Sequence, residues 1–222
     1  MPRALWFKEL RETLAVALIA LLAYLAFVAG HAGYPVLPIF SGSSAEGKLP
    51  FLDGAFLPTF CFVSVCFAIA LGLRQTAFES GRGTWLLLLH RPVGLRKLIG
   101  VKLAAGLVVY LLCGAVAILI YAAWAATRGT HASPFEWWMT VPAWKAWIAI
   151  TPLYLGAFLA GIRPARWFGT RLLPVPVAGM LAVLFGVPQW RYLGGLWLIV
   201  SLLISACLVG LIFFVARTRD YS

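Results

Sequence analysis

The chain has 222 residues, of which 63% are apolar and only 11% charged, with a mean hydropathy of +0.94 and a net charge of +11. These values exclude a soluble globular domain and describe an integral membrane protein, organised as a single transmembrane domain over residues 1–222. The excess positive charge is read as a topology signal and as contact with membrane lipids through anionic headgroups, with no role for nucleic acid.

Crossing a hydrocarbon core of about 30 Å takes roughly 20 helical residues. Six stretches approach that length: Leu14 to Ala29, Ala55 to Leu73, Ile99 to Ala126, Trp144 to Ile162, Arg171 to Val187 and Gly194 to Ala216. They are continuously apolar, whereas barrel strands alternate over about 10 residues, so the expected fold is all-α with six transmembrane helices. Ahead of the first span, Trp6, Phe7, Leu10 and Leu14 share a face at helical spacing, with Lys8, Glu9, Arg11 and Glu12 opposite. This pattern suits an N-terminal amphipathic helix lying in the interface and anchored by Trp6, Phe7 and Leu10. The alternative is that the segment simply begins the first span. Glu9 and Glu12 interrupt what would be the basic region of a signal peptide, so the first span is expected to be retained.

Between the first two spans, Gly42-Ser43-Ser44-Ala45-Glu46-Gly47-Lys48 matches the first seven positions of a phosphate-binding loop. The eighth position should offer magnesium a Ser or Thr hydroxyl, yet it is Leu49, followed by Pro50, and no strand precedes the segment. It is read as a loop.

The connection from Arg74 to Lys102 is basic and patterned. Polar Glu79, Ser80, Arg82 and Thr84 precede the apolar run Trp85 to Leu89, and Arg91-Pro92 forces an extended or turning backbone before the next helix. A short helix along the membrane surface fits that order. Gln75, Glu79, the Arg82-Gly83-Thr84 turn, the Leu86 to Leu89 run, Pro92, Arg96 and Lys102, together with the six-span layout, resemble the membrane-spanning permeases of type-2 ABC exporters.

The resemblance implies a short cytoplasmic coupling helix between spans 2 and 3 that docks in a groove of a separate cytoplasmic ABC ATPase subunit. Carried over to this sequence, the ATPase-coupling residues are Glu79, Arg82, Gly83, Thr84, Arg91, Pro92 and Arg96. Glu79 and Arg82 would make polar contacts, Gly83 the turn, and Arg91, Pro92 and Arg96 would orient the third span. It further implies a second permease copy or paralogue, a bacterial inner membrane, and ATP and magnesium held by the partner, with no cofactor in this chain. Read without the resemblance, Arg82, Arg91, Arg96 and Lys97 are topology determinants at a phosphate-rich surface, and the chain is a non-transporting scaffold that recruits a cytoplasmic partner.

Farther along, Trp137, Trp138, Trp144 and Trp147 cluster at one expected boundary, where indole rings favour the headgroup level. They are read as an interfacial anchor. Cys61, Cys66, Cys113 and Cys207 fall inside apolar spans without metal-ligand spacing and are read as small buried hydrophobes. His31, His90 and His131 occupy three separate connections, so no metal site is expected. Gly100-x-x-x-Ala104, Ser201-x-x-x-Ser205 and Ala206-x-x-x-Gly210 offer material for helix packing.

Orientation follows from the Lys and Arg residues outside the spans. Lys48, Arg128, Lys145 and Arg191 fall on one side and all the others, of 18, on the opposite side, which places both termini in the cytoplasm. No catalytic motif is found, and Glu9, Glu12, Glu46, Asp53, Glu79, Glu136 and Asp220 all lie outside the expected spans. A chain with neither a phosphate-binding loop nor midplane ionisable groups is expected to be no enzyme and no ion-coupled carrier. Within the spans, Tyr24, Thr59, Ser64, Tyr110, Tyr121, Thr151 and Tyr154 are the polar residues available to a pathway, whose sparse polarity suits a hydrophobic or amphipathic cargo.

Overall fold

A computed structural model describes residues 2–34, 49–52, 55–81, 94–127, 129–130, 134–163, 168–186 and 196–218. Among these residues every regular element is helical. The elements are α1 (Pro2–His31), α2 (Phe56–Gly81), α3 (Leu95–Ala126), a 3₁₀ turn (Trp137–Thr140) running into α4 (Val141–Ile162), α5 (Phe168–Leu172), α6 (Pro174–Gly186) and α7 (Leu196–Thr218). Five helical stretches are long and apolar enough to cross a membrane: Ala4–His31, Phe56–Phe78, Leu95–Ala126, Trp137–Ile162 and Ile199–Thr218. The expected fifth span, Arg171 to Val187, is instead broken at Leu173, and its main helix, α6, has 13 residues.

The expected amphipathic N-terminal helix is not a separate element. α1 runs for 30 residues without a break, so Trp6, Phe7 and Leu10 continue the helix of the first span. At 1.5 Å per residue α1 is about 45 Å long, well beyond the hydrocarbon thickness, which lets its first turns project past the apolar layer.

α4 occupies the centre. From Ala143 to Ile162 it is buried on nearly every side, and its most extensive contact is with α2. Small residues permit that closeness. A Cβ built on Gly72 of α2 would lie 2.7 Å from Ala157 Cβ and 2.8 Å from Phe158 N, and one on Gly161 of α4 would run into Thr76. The two helices therefore meet through Gly72-x-x-x-Thr76 and Ala157-x-x-x-Gly161, a small-residue packing that brings backbones together where lipid gives no hydrophobic drive. Thr76 directs its hydroxyl back to the Gly72 carbonyl at 2.8 Å, so no polar group is stranded at the contact.

Pro152 lies inside α4 and has no N–H to offer the carbonyl four residues earlier, that of Ile148. Ser201 of α7 reaches that carbonyl with its hydroxyl at 3.5 Å. The proline thus leaves an acceptor that a hydroxyl of the last helix meets. At the other end of α4, Arg171 donates from Nε to the Ala160 carbonyl at 3.3 Å and from Nη2 to the Gly161 carbonyl at 3.0 Å, satisfying groups that a helix C-terminus leaves open. α6 then returns beside α4, with Gly156 against Pro174 and Ala178.

Two expectations about individual side chains are corrected here. Trp147 is only 7% exposed and stacks on Tyr110, whereas Trp137 and Trp138 are 65% and 56% exposed and Trp144 is half-buried. The helical path begins at Trp137, so Trp147 is carried more than two turns into the bundle and is a core residue, not an anchor. Cys66 and Cys207 point outward and Cys61 and Cys113 are half-buried, so the cysteines are not uniformly interior.

Candidate functional site

Four helix ends converge at one end of the bundle. The start of α1, the end of α2, the start of α3 and the end of α4 are brought together by contacts of Glu9, Gln75, Lys102 and Tyr154. Phe213 of α7 approaches Gly100 of α3, which places the chain's last helical turns at the same end. Lys8, Arg11, Arg74, Arg96, Lys97 and Arg217 also belong to these helix termini, and Arg163 follows α4 directly while Arg171 of α5 reaches its last carbonyls. At the opposite end, Lys145 is the only Lys or Arg among the described residues. The charge asymmetry in the sequence therefore corresponds to one physical face, called here the basic end.

At its centre is a buried ion pair. Lys102 Nζ lies 2.9 Å from Glu9 Oε1 and 3.0 Å from Glu9 Oε2, and both side chains are essentially inaccessible. Lys8 adds a second cation 3.8 Å from Glu9 and 3.4 Å from Glu12. Glu9 was expected on the outer, polar face of an interfacial helix. It turns inward because α3 supplies a lysine there, and a paired charge can be buried where an isolated one cannot. Glu9 stands 22 residues, about 33 Å, from the end of α1 at His31, a separation greater than the thickness of a 30 Å hydrocarbon core.

The polar cluster continues through neutral groups. Gln75 Nε2 donates to the Lys102 carbonyl at 2.9 Å. The Tyr154 hydroxyl faces Gln75 Oε1 at 2.8 Å and the Leu103 carbonyl at 3.1 Å, so its single proton is shared between α2 and α3. Gly106 makes room: a Cβ there would collide with both Tyr154 Oη and Gln75 Oε1. Gln75 and Lys102 stand out in the sequence only as parts of a motif, and neither the bond between them nor that of Gln75 with Tyr154 is legible there. Tyr154 is visible in the sequence as a lone hydroxyl in an apolar span, but its partners are not.

Of the coupling residues expected from sequence, Arg82, Gly83, Thr84, Arg91 and Pro92 lie outside the described residues, as do the Trp85 to Leu89 segment and the phosphate-loop look-alike at 42–48. Glu79 is in the last turn of α2, with its side chain outside the description, and Arg96 is exposed in the first turn of α3. Within the first turns of α1, Phe7 is 71% exposed while Trp6 and Leu10 are half-buried. Of the polar residues expected to be available to a pathway, Tyr24, Ser64, Tyr110 and Tyr154 use their hydroxyls in buried bonds within the chain. Tyr24 and Ser64 bond each other at 2.7 Å, Tyr110 donates to the Trp147 carbonyl at 3.2 Å, and Thr59 turns back onto the Ala55 carbonyl. Among the described residues no three His, Cys, Asp or Glu side chains gather as metal ligands.

Compared with known proteins, the chain matches no family model, no curated protein and no solved structure.

Proposed function

We propose that the chain is the membrane-spanning permease subunit of an ATP-driven exporter, paired with a second permease and docked on a separate cytoplasmic ATPase subunit. The observation that carries the reading is the basic end. The connection between α2 and α3, which holds the motif resembling the type-2 exporters, issues from helix ends that a buried polar cluster ties to α1 and α4. A push on that connection would reach the helices that form the core. In this reading the basic end is cytoplasmic, α5 and α6 complete a sixth crossing, and a hydrophobic or amphipathic cargo passes between two copies, because the buried hydroxyls of Tyr24, Ser64, Tyr110 and Tyr154 are already bonded within one chain.

Cysteine labelling in intact cells tests the arrangement. Ser80, Arg166 and Ser222 should be protected from impermeant reagents, and Ser43 and His131 should be labelled. Reaction of Ser43 and Ser80 positions from the same side would rule the topology out. Docking is tested with Glu79→Ala and Arg82→Ala in the chain reconstituted with its ATPase. Loss of a hydrogen bond involving a charged group should weaken binding or stimulated hydrolysis by about 1–3 kcal/mol, while an Arg166→Ala control leaves both unchanged. Equal, small effects at all three positions would reduce these charges to topology determinants.

A further inference from the structure

The cluster at the basic end contains two neutral side chains that neither the ion pair nor the docking surface requires. Gln75 and Tyr154 have no charge to neutralise: the Lys102 ammonium already faces both oxygens of Glu9. What they join is backbone. Gln75, two turns before the end of α2, holds the Lys102 carbonyl of α3, and Tyr154 of α4 lies between Gln75 and the Leu103 carbonyl one residue farther on. α2 and α3 are the two helices linked by residues 82–94, and the hydrogen bonds cross between them six residues from Gly81 and seven residues from Leu95.

We propose that Gln75 and Tyr154 are positioning residues that clasp the two helices flanking the 82–94 connection, so that displacement of the connection moves α2, α3 and α4 as one body. This rests on the permease reading above for its functional consequence, but not for its geometry. Buried hydrogen bonds of this kind fix one arrangement because a lost partner leaves an unsatisfied group in an apolar core. Gly106 is part of the clasp, since any side chain there displaces both partners at once.

The test uses the full chain in lipid nanodiscs, with native cysteines replaced and spin labels at exposed Phe78 and Lys97 on α2 and α3. A second label pair at exposed Phe62 and Ile120 reports the far end. In Gln75→Leu, Tyr154→Phe and Gly106→Ala variants, the Phe78 to Lys97 distance distribution should broaden while the far pair stays unchanged. With the ATPase added, its binding to the chain should be preserved, but permease-stimulated hydrolysis should fall by about tenfold, the scale of one buried hydrogen bond. A role confined to stability would lower thermal stability without splitting binding from stimulation. Unchanged distances in all three variants, or broadened distances with full stimulation, would overturn the proposal. A wild-type chain that stimulates no ATPase would instead remove the permease reading, and the label distances would still decide whether the clasp exists.

Discussion

Replacing Glu9 by alanine should destabilise the chain by about 3–5 kcal/mol, the usual cost of removing one partner from a buried ion pair. The cause is the lysine left behind. Lys102 Nζ is held at 2.9 Å and 3.0 Å by the two Glu9 oxygens, and its side chain has no access to solvent. Removing both charges together, as in the Glu9→Leu and Lys102→Leu double variant, should restore most of the loss, because replacing a whole buried pair by apolar groups is often neutral or better. Reversible unfolding in mixed micelles measures both. If the double variant were as unstable as the single one, the two side chains would be acting through packing and not through charge.

The second large effect is expected at the crossing of α2 and α4. Leucine at Gly161 would force a side chain into Thr76 and to within 2.8 Å of the Ala77 backbone nitrogen, and leucine at Gly72 would meet the backbone of Tyr154 and Phe158 at 2.8 Å. Backbone cannot rotate out of the way, so the helices must separate, at the upper end of or above the 1–3 kcal/mol common for overpacking. Gly210 is the control: nothing lies within 4 Å of a Cβ there, and Gly210→Leu should be tolerated. Thermal stability of the three purified variants decides the matter, and equal losses at all three would show that the α2 to α4 crossing has no special tightness.

The spans were legible because their signal is local. A run of about 20 apolar residues is sufficient to locate a crossing helix, and three of the six expected spans coincide closely with α3, α4 and α7, while α2 runs on past the expected end at Leu73 to Gly81, through residues expected to begin the connection. Facing was far less legible. Helical periodicity put Glu9 opposite Trp6, Phe7 and Leu10, and within α1 alone nothing contradicts that; the reason it turns inward is Lys102, which is 93 residues away in the chain. The same limit applies to packing motifs. Gly72-x-x-x-Thr76 has the same spacing as Ala206-x-x-x-Gly210, yet one is locked against another backbone and Gly210 faces open space. In lipid an inner and an outer helix face can be equally apolar, so composition does not separate them. Trp147 shows the effect of a small boundary error: with a helical path starting at Trp137 rather than at Trp144, an expected surface anchor becomes a core residue. The site's charged periphery was legible as an asymmetry of Lys and Arg, but its neutral clasp of Gln75 and Tyr154 was not, because it is made of contacts between helices.

The separation of Glu9 from Lys102 along the chain also constrains the order of biosynthesis. Ribosomes add about 5–20 residues per second, so the carboxylate of α1 exists for on the order of 5–20 seconds before its lysine is made. During that interval α1 can enter the membrane, but Glu9 must stay in contact with water or with headgroups at the boundary. Its burial is therefore a late event, completed only when the start of α3 arrives from the ribosome. The first helix inserts early and reaches its final seat as part of a later, joint movement with the third.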